Sequence, residues 1–129
     1  MIRQVDDDLY QTICSWWKEH GAPAIPRGLL PRRGYVVIEG GRPIIAGFLY
    51  KDETACFGMV EYISSDPEST KEERATGFAA LMDHILKVAR DEGVRFLTTT
   101  ANHPGLIEKL KGSGFKMDCE NVTQLFREV

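Results

Sequence analysis

Apolar side chains recur at Leu9, Ile13, Trp16 and Trp17 between Asp6 and His20, the spacing of a helix that buries one face. Asp6, Asp7 and Asp8 crowd its start, where the positive end of the helix dipole favours them. Gly21 stops it, and Pro23 and Pro26 forbid its continuation, so "APAIPRGLLPRRG" reads as a proline-punctuated loop. The stretches "YVVIE", "IIAGFLYK" and "CFGMVEYIS", separated by "GGRP" and "DET", predict three strands in an antiparallel meander. From Ser69 to Glu92 the period becomes helical. Phe78, Leu81, Met82, Ile85, Val88 and Ala89 make one face, and Lys71, Glu72, Asp83, Lys87 and Arg90 the other. Gly93 ends that helix. "VRFLTTT" reads as a buried strand, "PGLIEKLKGSG" as a short helix, and "FKMDCENVTQLFREV" as one or two final strands. The order α-βββ-α-β-α-β describes one domain over residues 1–129 of the α/β class, a mixed sheet with helices on its faces.

Composition narrows the function classes. The 129 residues are 43% hydrophobic, enough for a real core. A formal net charge of -3 argues against nucleic acid and membrane surfaces as partners, since both leave a basic imprint. Cys14, Cys56 and Cys119 are odd in number and widely spaced, which fits reduced thiols in a cytoplasm and neither a disulfide framework nor a zinc site. No apolar run is long enough to span a bilayer, and "MIRQVDDDLY" lacks a signal peptide's apolar core.

Two places carry candidate chemistry. The first is "ERATGFAAL", residues 73–81. A helix N-terminus offers unpaired N–H groups and a positive dipole end, so it can hold a pyrophosphate. Gly77 would let the backbone come close, and Arg74 would add a charge-assisted contact. The competing reading is an ordinary helix start: Ser69-x-x-Glu72 and Thr70-x-x-Glu73 are both capping boxes. A helix begun at Thr70 puts Gly77 inside its second turn, with its amide already bonded and Glu72 and Glu73 repelling an anion. The second place is Glu61. Strand alternation points Phe57, Met59, Glu61 and Ile63 one way, and a carboxylate among apolar neighbours has its pKa raised, which suits a general base. The plain alternative is a strand-edge glutamate with its head in solvent.

The order of elements, with Arg74-x-x-Gly77-x-Ala79 between a strand and a long helix, resembles the GNAT superfamily of N-acetyltransferases. Glu61 on the third meander strand, Asn102 after "LTTT" and Gly114-Phe115 after the short helix extend the resemblance over residues 35–129. It implies a GNAT fold, acetyl-coenzyme A as acyl donor, and an amine acceptor on a small molecule or a protein. It implies Glu61 as base, acting directly or through water. It also implies cofactor contacts at Arg74, Gly77, Ala79 and Asn102, with the backbone of Ile63 to Ser65 pairing with the pantetheine arm. A homodimer is compatible with it. The chain departs from the pattern twice. Leu110 stands where the family often carries an acidic tyrosine, and Arg74 lies seven residues after Pro67, further than is usual. Small GNAT-like proteins of this kind are similar to ones carried by phages and prophages. The alternative function is therefore a GNAT-fold protein that has lost the chemistry and holds a partner or ligand in its cleft.

Several residues invite simpler readings. His84 falls on the polar side of the long helix, His20 at a helix end, and His103 beside Pro104 in a loop. No two histidines have metal-ligand spacing. Trp16 and Trp17 are adjacent, so one is expected in the core and the other half-exposed at a cleft or interface. Arg27, Arg32 and Arg33 could draw an acidic substrate or simply face solvent.

Overall fold

Asp6 caps the first helix as its position suggests: its carboxylate accepts the Leu9 N–H at 2.9 Å. The computed structural model describes residues 1–129, and in it this helix, α1, spans Asp7–Glu19. Ahead of α1 lies a short strand, β1 (Ile2–Gln4), that the sequence pattern did not show, because three residues are too few to display an alternation. After a 3-10 turn at Arg27–Leu29 come β2 (Gly34–Glu39), β3 (Arg42–Lys51) and β4 (Phe57–Ser65). Gly40 and Gly41 both have positive φ, which lets the β2–β3 hairpin turn tightly. Helix α2 (Lys71–Asp91), β5 (Phe96–Thr99) and α3 (Pro104–Gly112) complete the regular elements. The sheet order is β1-β2-β3-β4-β5, antiparallel except for the parallel β4–β5 pair.

One core lies on each face of the sheet. On the first, Leu9, Ile13, Trp16 and Trp17 of α1 pack on Val36, Ile38, Ala46 and Phe48. Both tryptophans are buried, at 4% and 6% exposure, which corrects the expectation that one would be half-exposed. The reason is the proline loop, whose Ile25 and Leu30 pack against this same cluster. On the second face, Phe78, Leu81, Met82, Ile85 and Ala89 of α2, with Leu110 of α3, pack on Ile44, Ile45, Leu49 and Val60.

The order read from sequence thus holds from α1 through α3 and fails after it. Residues 113–129 form neither helix nor strand, so the expected final strands are absent. A strand has no internal hydrogen bonds; composition of the right kind does not make one without a neighbour to pair with. Of its apolar side chains Phe115 packs against the α2-side core, whereas Met117, Val122, Leu125, Phe126 and Val129 are exposed.

Candidate functional site

A β-bulge organises the centre of the sheet. Along β3 and β4 the pairing runs from Lys51↔Gly58 to Phe48↔Glu61, then resumes one residue out of step at Ala46↔Ser64. The extra residue is absorbed at Tyr62, which takes a left-handed backbone conformation with φ 56°. Gly47 lies opposite the break; a glycine inside an otherwise apolar strand was the one sequence signal for it. The bulge also reverses the alternation. Val60 and Ile63 both pack with the α2-side core, whereas Tyr62 packs on the α1 side. Ile63 therefore does not share the face of Phe57, Met59 and Glu61, which corrects the strict period-two reading.

The parallel β4–β5 pairing stops at the same place. It runs from Phe57↔Phe96 to Val60↔Thr99 and goes no further, while β4 continues to Ser65 beside β3 alone. The two strands part at Glu61, and the backbone from Glu61 to Ser65 has a strand neighbour on one side only. The fork is braced on the α1 side. Trp17 Nε1 donates to Ser64 Oγ at 2.7 Å, Ser64 Oγ bonds the Tyr62 carbonyl at 3.2 Å, and the His20 ring meets the Ser65 carbonyl at 3.2 Å.

Glu61 sits in the crotch of this fork, half-buried, and burial pushes its carboxyl above the ordinary glutamate value. Thr100, just past the end of β5, opposes this with its N–H and hydroxyl. Aromatic rings stand nearby: Tyr62 lies 6.5 Å from both Trp17 and Tyr50 in edge-on geometry. Tyr50 donates to the Leu29 carbonyl at 2.6 Å, and burial, with Tyr62 and Glu61 close by, holds its phenol at about 12. A half-buried carboxylate beside an open strand edge, its proton affinity raised by burial, can when ionised accept a proton from an ammonium.

The start of α2 has a different character. Thr70 is its N-cap: Thr70 Oγ accepts the Glu73 N–H at 3.1 Å and the Glu73 carboxylate accepts the Thr70 N–H at 2.8 Å, a complete capping box. Of the two helix starts that the sequence allowed, the structure has the one at Thr70. Gly77 is buried in the second turn, and a Cβ there would lie 2.9 Å from Ile45 Cγ2. Its role is close packing of helix on strand. Arg74 turns back to donate to the Ser69 carbonyl, and Ala79 is exposed on the helix surface. Arg42 pairs with Glu73 at 3.0 Å and with Asp66 at 3.5 Å. Asp66, Glu68, Glu72 and Glu73 surround this end of the helix.

The remaining candidates divide between the fork and the scaffold. Ile63 and Ser65 lie on its open β4 arm, and Asn102 is exposed in the loop beyond its β5 arm. Arg74, Gly77 and Ala79 belong to α2. Leu110 is buried in the α2-side core. His103 caps α3 by accepting the Gly105 N–H at 3.1 Å, and His84 packs edge-on to Tyr35 with ring centroids 4.5 Å apart. Two of the loop cations are engaged: Arg27 lies over the Tyr10 ring and 3.7 Å from Asp7, and Arg33 donates from Nε and Nη2 to the two carboxylate oxygens of Glu92. Sequence reasoning missed Thr100 beside Glu61 and the Trp17–Ser64 bond that braces the fork, because both follow from the bulge.

No family model matches the chain, and no curated protein matches it in sequence. Solved structures do. A protein described as a probable acetyltransferase superposes with a TM-score of 0.74 at 14% identity, over 100% of this chain and 98% of that one. A transcriptional regulator from Bacillus halodurans gives 0.71 at 13% identity, over 98% and 99%. N-acetylglutamate synthase from Neisseria gonorrhoeae, complexed with coenzyme A and N-acetyl-glutamate, gives 0.74 at 20% identity, over 94% of this chain and 29% of that one. At such identities the likeness is one of fold, a mixed α/β fold shared with acetyltransferases.

Proposed function

We propose that this chain, which has the GNAT fold, is an N-acyltransferase that moves an acetyl group from acetyl-coenzyme A to the amine of a small molecule or protein. The observation that supports it most directly is the fork: β4 and β5 part at Glu61, leaving a raised-pKa carboxylate beside an unpaired strand edge. Coenzyme A, when bound, supplies the acyl group as an activated thioester. The open backbone of Ile63 to Ser65 fits its extended, amide-bearing arm, which can add to a sheet edge as a strand does. Glu61 accepts the proton of the acceptor ammonium, directly or through water, so that the neutral amine becomes the nucleophile. Tyr50 stands close to Glu61, and burial is what holds the proton affinity of the carboxyl up. Thr100 sets the limit on that rise. We place the reaction in the cytoplasm, where three unpaired cysteines are stable, and no helix is long and apolar enough to cross a membrane.

The diphosphate end fits less well. The amides that α2 leaves free are in its first turn, among four carboxylates, and Gly77 faces Ile45. That favours a second reading, in which the cleft holds a partner or ligand without acyl transfer. A thermal shift with acetyl-coenzyme A against ADP separates the two. A ligand at about 100 times its dissociation constant stabilises the native state by about 2.7 kcal/mol, near 10 °C for a chain of this length. The transferase reading expects that rise with acetyl-coenzyme A and little with ADP. No rise at millimolar acetyl-coenzyme A would overturn it in favour of the second.

A further inference from the structure

Helix α1 and the proline loop cover only part of their face of the sheet. They pack on β2 and β3 and reach β4 at Tyr62 and Ser64. The rest of that face, on β4 and β5, is bare. A Cβ at Gly58 would meet Leu97 and Val94 on the α2 side. Alternation therefore turns Phe57, Met59 and Glu61, with Phe96 and Thr98 beside them on β5, to the α1 side. Phe57, Met59 and Phe96 are 38%, 37% and 65% exposed, and neither core takes them in. Tyr50 pairs with Met59 across the strands, and its hydroxyl holds the Leu29 carbonyl at the rim. Glu61 is the one acid on β4 and β5, and neither strand carries a lysine or arginine.

A ligand matched to this face has one cation, for Glu61, and an uncharged apolar remainder lying along β4. Alternate residues of a strand repeat at about 6.6 Å, so Met59 lies one such step from Glu61 and Phe57 about 13 Å away. A second charge on the ligand would fall over Met59 or Phe57, losing water and meeting no opposite charge. We infer that the acceptor is a primary amine on a single apolar or aromatic body, an alkylamine or arylalkylamine, with its ammonium at Glu61 and its body over Met59 and Phe57. Polyamines and amino acids are disfavoured by their further charges. The inference rests on the acyltransferase reading for its chemistry and on the bare face for its selectivity. Glu61 takes one ammonium proton, and the neutral amine forms the N–C bond as the thioester C–S bond breaks. A second nitrogen proton goes to the departing thiolate, leaving an amide and a free thiol.

The test pairs two measurements on the full chain with ethylamine, hexylamine, phenethylamine, spermidine and glutamate. One is thiol release from acetyl-coenzyme A, and the other is calorimetric binding of each amine without the acyl donor. A methylene is worth about fourfold when fully buried, so on this open face hexylamine should exceed ethylamine in kcat/KM by about tenfold or more. Spermidine and glutamate should fall below both apolar amines. Met59→Lys, at an exposed position, should erase the preference by raising KM, and Met59→Leu should keep it, with melting temperatures showing that both variants fold. Equal rates for ethylamine and hexylamine, or a faster rate with spermidine, would overturn the acceptor class and leave the transferase reading standing. Apolar amines that bind, lose affinity in Met59→Lys and yet release no thiol would uphold the ligand class and remove the transfer. No preference in either measurement, or one that survives Met59→Lys, overturns the inference.

Discussion

Adding one methyl group at Gly77 sets two effects of similar size against each other. Alanine is better than glycine inside a helix by up to about 1 kcal/mol, because the unfolded glycine has more conformations to lose. In open surroundings Gly77→Ala would therefore stabilise α2. The surroundings are not open. The new Cβ would lie 2.9 Å from Ile45 Cγ2 and 3.4 Å from Ile44 Cγ2, and Ile45 is itself 4% exposed in the core. Relief requires moving α2 or Ile45 by several tenths of an ångström in a close-packed layer, and overpacking of this kind costs about 1–3 kcal/mol. The balance is a net loss of roughly 0–2 kcal/mol. With an unfolding entropy of about 2.1 cal/mol/K per residue, a chain of 129 residues loses about 4 °C for each kcal/mol. Gly77→Ala should thus lower the melting temperature by up to about 8 °C, measured by circular dichroism. Ile45→Leu moves the branch away from the helix at constant volume, so in that background the alanine should be tolerated or stabilising. Acetyl-coenzyme A affinity, by titration calorimetry, should barely change in the double variant, since the site of substitution faces β3. A clear rise in melting temperature for the single variant, or lost affinity in the double, would refute the packing argument and return Gly77 to a ligand-facing role.

Two further outcomes follow from the charged groups. If Glu61 is the base, Glu61→Gln should cut the acetylation rate about 10²–10⁴-fold; because burial raises its pKa and only the ionised form accepts a proton, the wild-type rate should fall with pH at a value above 4.5, and a variant retaining that acid limb would show the proton goes elsewhere. Arg33 holds the Glu92 carboxyl below 4.5, so this pair adds stability above that pH and loses it as pH falls through the depressed value; with both side chains a third exposed, Arg33→Ala should cost about 1 kcal/mol at neutral pH, and a difference in melting temperature that persists undiminished at about pH 2 would contradict the assignment.

What the sequence made legible was governed by periodicity and by short-range capping. The helix from Asp7 and the helix from Lys71 both announce themselves by an oxygen-bearing cap and an apolar stripe, signals that need no distant partner. The meander strands are similar: alternation plus a tight turn specifies them locally. The strand β1 and the segment after α3 fail for one shared reason. In each the outcome rests on pairing: Ile2–Gln4 is a strand because β2 lies beside it, whereas residues 113–129 pair with no strand and form none. Glu61 was singled out by its residue type and position on β4, and the resemblance implied an open backbone at Ile63 to Ser65, but the bulge that shapes the fork was not legible. The fork depends on Tyr62 taking a left-handed conformation, which a tyrosine adopts only when surrounding contacts over-determine it.

Those contacts explain why the bulge and the helix start must be considered together. Trp17, through Ser64, and His20, through Ser65, hold the far end of β4 to α1 on one side. Beyond Ser65 the chain turns at Asp66, whose N–H bonds the Ile44 carbonyl, and enters α2 at Thr70 with its capping box complete. The segment 66–70 is thus fixed at both ends before any ligand arrives, and Arg42 and Arg74 are spent on Asp66, Glu73 and the Ser69 carbonyl. An anion at this corner would have to compete with internal carboxylates for the same cations and the same first-turn amides. The fork beside it, by contrast, leaves backbone groups of β4 without a strand neighbour. Affinity for an acyl donor should therefore come from the arm that lies along β4, and the phosphates should add little to it.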